Sequence, residues 1–121
     1  MSLLDKLEER SKKRERKSLY IPELEETVYW YPMTAGERQR IMNAAGFKWA
    51  RDAVQMDNAK YKASLIIEKL EDKDGTKIFS NTPEHKDLLI NKIADELLTK
   101  IVNAIDPPRA EEQQIEEAKN E

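Results

Sequence analysis

Thr27-Val28-Tyr29-Trp30-Tyr31-Pro32-Met33-Thr34-Ala35-Gly36-Glu37 changes character at Pro32. Before it, β-branched and aromatic side chains follow one another, the composition of a strand. In a strand Tyr29 and Tyr31 point to one face and Trp30 to the other. Pro32 has no amide to give to a ladder, so it ends the strand or confines it to an edge. After it, Thr34 and Glu37 have the spacing of a capping box. The Thr34 hydroxyl accepts from the Glu37 amide, and the Glu37 carboxylate reaches back to the Thr34 amide. The spacing predicts a short helix to about Ala45, with Gly46 as a left-handed stop. Upstream, Leu19-Tyr20-Ile21-Pro22 reads as extended chain set by its proline.

Downstream the pattern is helical. Ala59, Ala63, Ile66, Ile67 and Leu70 repeat at helical spacing, and Ala50, Val54 and Tyr61 extend the pattern backwards. They predict a long helix from about Trp49 to Glu71. Asp72-Lys73-Asp74-Gly75 breaks it. Thr76-Lys77-Ile78-Phe79 reads as a short strand, a candidate partner for the aromatic one; a hairpin of Leu65–Leu70 across Asp74-Gly75 is the alternative. A second long helix starts at Thr82 as N-cap, with Pro83 in its first position and Glu84 at the positive end of the dipole. It ends near Ile105, because Pro107-Pro108 cannot continue it. The expected fold is mainly α: a small helical domain with a short two-stranded β element and charged, flexible termini.

The charges bound the rest. Of 121 residues, 37% are charged, with 21 Lys+Arg and 24 Asp+Glu for a net −3. The charged share exceeds the usual ~25%, so part of the chain must lie outside any packed core. Residues 1–18 hold seven bases and four acids; residues 106–121 hold six acids and two bases. Both ends are poor in large apolar side chains and read as solvated tails with transient helix. This divides the chain into a basic arm at 1–18, a folded body at 19–105 and an acidic tail at 106–121. In the arm, Glu8 and Lys12 have helical i,i+4 spacing, and Leu3, Leu4 and Leu7 cluster at one end, which leaves a coiled-coil contact open. No apolar run approaches the ~20 residues that span a bilayer. The first 18 residues lack the apolar stretch of a signal peptide, which argues against export by that route.

Catalytic chemistry has little to stand on. There is no cysteine and one histidine, His85; thiolate or His-pair metal sites are excluded and a Ser-His triad has poor material. Asp72, Asp74 and Gly75 miss the ligand order of a calcium loop, with Pro83 where the bidentate acid belongs. Three glycines scarcely build a phosphate loop. No catalytic, cofactor-binding or metal-binding residue is assigned, and the chain is not expected to be an enzyme.

Binding has better candidates. Ile90, Ile93, Ala94, Leu97, Leu98, Ile101, Val102 and Ile105 lie on one side of the second long helix, over an arc of about 180°. A single core-facing stripe needs only about 100°. Either neighbouring helices cover the whole arc or part of it meets another chain. With Tyr29, Trp30 and Tyr31, whose strand has either one exposed face or two buried ones, Ile90, Ile93, Leu97, Leu98, Ile101, Val102 and Ile105 form the set of candidate partner-binding residues.

Leu19-Tyr20-Ile21-Pro22, Val28-Tyr29 and Pro32-Met33-Thr34-Ala35-Gly36-Glu37-Arg38 resemble the opening of the tail assembly chaperones of long, non-contractile-tailed, lambda-like bacteriophages. Asp72-Lys73-Asp74-Gly75-Thr76-Lys77-Ile78-Phe79, with the apolar helix after it, resembles a later segment of that family. The resemblance covers about residues 19–105 and rests on structural motifs. It implies a non-enzymatic protein of the host cell cytoplasm that binds the tape measure protein, keeps it soluble while the tail tube polymerises, and is absent from the mature virion. It also implies a frameshift-extended version that engages the tail tube protein. Two other readings remain. One is a small nucleic-acid-binding regulator using the basic arm, against which the net −3 and the acidic tail count. The other is a structural head–tail adaptor that stays in the particle. No membrane partner and no cofactor are expected.

Overall fold

The computed structural model describes residues 2–50 and 53–107. Helix α1 (Leu3–Lys12) leads into strand β1 (Lys17–Ile21), which pairs antiparallel with β2 (Glu26–Trp30) in a register that sets Leu19 opposite Val28. Helix α2 (Ala35–Ala44) follows, then a short antiparallel pair, β3 (Lys48–Ala50) and β4 (Ala53–Gln55). Helix α3 (Asn58–Lys69) crosses the middle of the molecule. After a turn come α4 (Pro83–Asp87), a π-helical turn at Leu88–Lys92, and α5 (Asp95–Ile105). The fold is mainly α with a small β element, as the sequence predicts.

The capping box forms as read. The Thr34 hydroxyl accepts from the Glu37 amide at 3.2 Å, and the Glu37 carboxylate accepts from the Thr34 amide at 3.0 Å. Gly46 has φ +75° just past the end of α2, a conformation that costs a side chain with a Cβ. Thr82 caps α4 with Pro83 in its first turn, and α5 stops at Ile105. Asp72–Gly75 is a plain turn. One Asp72 carboxylate oxygen accepts from the amides of Asp74 and Thr76, at 2.9 and 3.0 Å.

Four expectations are corrected. The aromatic strand pairs with Lys17–Ile21, not directly with Thr76–Phe79. Glu71 lies between, exchanging backbone hydrogen bonds with Tyr29 at 2.9 and 2.8 Å and forming a bridge to Lys77. The helix expected from Trp49 begins only at Asn58. Asp57 caps it, accepting from the Lys60 amide at 3.0 Å, and the aromatic and β-branched pair Trp49 and Val54 stand opposite each other in the β3–β4 register. The helix expected to run unbroken from Thr82 to Ile105 is interrupted at Ile93 and Ala94, both in extended conformation. An arc of about 180° cannot face one neighbour on a straight helix; breaking it re-aims each half, and Leu89 and Leu98 both reach the core. Finally, residues 3–12, expected to be a solvated stretch with only transient helix, form a solvated helix with a cap of its own, for Ser2 and Asp5 make a second capping box. The arm also ends sooner than expected, since Lys17 and Ser18 belong to β1. The acidic stretch beyond Pro107 lies outside the described residues.

The core gathers Ile21, Val28 and Trp30 from the hairpin, Ile41 from α2, Ala63, Leu65, Ile66 and Ile67 from α3, Leu89, and Leu98, Ile101, Val102 and Ile105 from α5. Two charged clusters tie its edges. Arg38 donates to both carboxylate oxygens of Asp106 at 2.9 Å, and the Tyr61 hydroxyl donates to the same carboxylate at 2.6 Å. Lys62 on α3 donates to Asp95 at 2.7 Å and to the Thr99 hydroxyl at 3.0 Å, fixing the start of α5.

Candidate partner-binding surface

The aliphatic face chosen from the sequence is mostly interior. Leu98, Ile101, Val102 and Ile105 are buried, as is Trp30. Ile90, Ile93 and Leu97 are half-buried and pack against that core. Ile90 also lines a cleft of ≈ 410 Å³ between α2, α3 and α4. The arc therefore does most of its work inside the monomer.

Tyr29 and Tyr31 lie on the strand face opposite Val28 and Trp30. Their cover comes from the arm: the Arg16 guanidinium sits 4.4 Å from the Tyr29 ring centre, and that of Arg14 sits 5.3 Å from Tyr31's. Such stacking is worth about 0.5–1 kcal/mol at an exposed site. Arg14 also donates to the Pro32 carbonyl at 2.9 Å and stands 3.7 Å from the Glu37 carboxylate. The basic cluster that looked like a free arm is partly spent on holding α1 to the body.

Glu37 is the centre of this anchor. Its second carboxylate oxygen accepts from Lys69 Nζ at 2.8 Å, and Lys69 is only 3% exposed. Burial pushes the Glu37 carboxyl up, but donation from Lys69 and from the Thr34 amide, with the Lys69 charge, outweighs it and holds the pKa near a value of about 2. The arm, the start of α2 and the end of α3 thus meet at one carboxylate.

What remains uncovered is α1. None of its residues is buried, and Leu3, Leu4 and Leu7 are 73%, 64% and 57% exposed. At 100° per residue the three leucines span an arc of about 100°, the width of one contact stripe. Tyr20, Leu24 and Ile78 add exposed apolar area elsewhere. Between α1 and Pro32–Thr34 runs an open groove of ≈ 900 Å³ walled by Leu7, Arg10, Arg14 and Met33. The leucine cluster was visible in the sequence. Ser2-x-x-Asp5 ahead of it was the signal that a capped helix would present it. Among the described residues no group of three or more His, Asp or Glu side chains could hold a metal ion, and no helix is long and apolar enough to cross a membrane. His85 sits half-buried, its Nδ1 accepting from the Ser80 amide at 2.8 Å with Phe79 packed edge-on against the ring.

No protein-family model matches the chain. No curated protein matches it. Among solved structures the chain is similar to the tail assembly chaperone of bacteriophage HK97, with a TM-score of 0.48 and 16% sequence identity, over 78% of this chain and 88% of that one.

Proposed function

We propose that this protein is a phage tail assembly chaperone that binds the tape measure protein and keeps it soluble until tube subunits displace it. The observation that carries the reading is α1: a capped, amphipathic ten-residue helix, anchored to a folded body, with Leu3, Leu4 and Leu7 each more than half exposed. A helix this short is marginal in water without packing. A helical client laid along Leu3, Leu4 and Leu7 supplies the missing burial, in the i, i+4 manner of helix recognition. Full burial of a leucine is worth about 1.5–3 kcal/mol, and these three are already partly covered, so one copy binds modestly. Many copies along one long client hold it collectively and still release it. The Pro32–Arg38 motif supports the same reading, because it builds the platform to which α1 is tied.

The test is co-expression with the tape measure protein of the same phage. The expected result is a rise in that protein's soluble fraction, with the chaperone missing from purified virions by mass spectrometry. No rise, with both proteins well expressed, contradicts the proposal. Presence of this chain in virions at stoichiometric amounts points instead to a structural adaptor.

A further inference from the structure

The cleft between α2, α3 and α4 has no part in the reading above, for no residue of α1 lines it. Its floor is apolar: Ile41, Ala63 and Ile67 are buried there, and half-buried Ile90 joins them. Its rim is basic, with Arg40, Lys60 and Lys86 all exposed. The one acid in the lining is Glu68, and Arg40 already donates to it at 2.9 Å. Among the described residues Lys60 and Lys86 have no ion pair, so the mouth carries two uncompensated positive charges above an aliphatic floor.

Two local features go beyond what the fold requires. Lys60 is the third residue of α3, in the first turn, where the helix dipole favours an acid and disfavours a base. Ile90 belongs to the π-helical turn at Leu88–Lys92, a rare widening that recurs at functional sites. From that turn Leu89 enters the core and Ile90 lines the cleft.

The size and lining select the ligand. At ≈ 410 Å³ the cleft is at the small end of ligand sites, suited to a side chain or two. A bare anion would leave the floor unfilled. A nucleic-acid strand would find no aromatic side chain in the lining to stack on. An apolar side chain with carboxylates one helical turn away matches floor and rim together, because residues four apart share a helix face.

We propose that this cleft binds an acidic amphipathic helix of a second protein, with one leucine-sized side chain on the floor and flanking carboxylates on Lys60 and Lys86. The site is separate from the leucine face of α1 and does not depend on the client assigned to it.

The probe is a capped, alanine-based helical peptide carrying one leucine, with a glutamate four residues before it and another four residues after it. It is titrated into the full isotope-labelled chain while amide signals are followed by nuclear magnetic resonance. The expected result is a saturable shift of signals from residues 40–44, 60–68 and 86–90, with residues 3–12 unmoved. Lys60→Gln combined with Lys86→Gln should weaken binding about three- to tenfold, the scale of two exposed ion pairs. Ala44→Phe, at an exposed position of the lining, should fill the cleft and abolish binding. Replacing the peptide's glutamates by glutamine should weaken it as the lysine variant does, and Leu3→Ser, Leu4→Ser, Leu7→Ser in the protein should leave it unchanged. No shift at the cleft, equal binding of the glutamine peptide, or undiminished binding by both cleft variants would overturn the proposal. So would loss of binding in the triple-serine variant, which would place the peptide on α1. Tighter binding of a thymidine oligonucleotide at the same signals would overturn it too, by assigning the cleft to nucleic acid.

Discussion

Glu37 joins three parts of the chain that the sequence keeps far apart. Its carboxyl is held at about 2, well below the ordinary value of 4.5, because Lys69 and the Thr34 amide donate to it. A carboxylate depressed on folding contributes stability that is present above its unfolded pKa and lost as pH falls through the folded one. Glu37 therefore stabilises fully above about pH 4.5, and its share disappears between there and about pH 2, a share of at most about 3 kcal/mol at neutral pH because solvent screens part of the interaction. Glu37→Gln should lower the urea midpoint at pH 7 and flatten the acid limb of stability against pH; an unchanged acid limb would show that the carboxylate is not depressed. Gly46→Ala should cost about 1 kcal/mol by thermal melting, from backbone strain at φ +75° and not from crowding, since a Cβ there meets open space. The local half of the Glu37 arrangement was legible, because Thr34 and Glu37 are three residues apart. Lys69 and Arg14 were not, because no spacing rule links residues 32 and 23 positions away.

The helices at the two ends have opposite fates. In α5, Leu98, Ile101, Val102 and Ile105 face the core, while in α1, Leu3, Leu4 and Leu7 face outward. Ile101→Ala should cost about 2–5 kcal/mol of unfolding free energy, and Leu97→Ala less, because Leu97 is only half-buried. Leu3→Ala and Leu7→Ala should each stay within about 0.5 kcal/mol of the parent. A denaturant series over the four variants checks the order. Periodicity identified the apolar face of residues 90–105 correctly but not its burial. Arc width alone cannot say whether a helix stays straight, and the break at Ile93-Ala94 resolves the excess by re-aiming one half. The start of α3 was misplaced for a related reason: Ala50 and Val54 continue the helical period, yet the Asp57 cap and the β-forming Trp49 and Val54 prevail locally.

Across the whole molecule the hairpin, α2, α3, the π-helical turn and α5 share one core, and the exposed amphipathic helix α1 is held at its edge through Arg14, Arg16 and Glu37. That arrangement separates the residues that stabilise the monomer from the exposed leucines of α1, on which the proposed binding rests. The division was half legible. The leucine cluster and the arm's bases could be read from residues 1–18, but their attachment by guanidinium–tyrosine stacking needed the fold. It also lets the surface be altered without unfolding the body. The measurement that bears most directly on the account is co-expression of the tape measure protein with the parent chain and with a Leu3→Ser, Leu4→Ser, Leu7→Ser variant. The predicted result is that the parent raises the client's soluble fraction and the variant does not, while the two melt within a few degrees of each other. Equal solubilisation by both would contradict the assignment of α1 as the client-binding element.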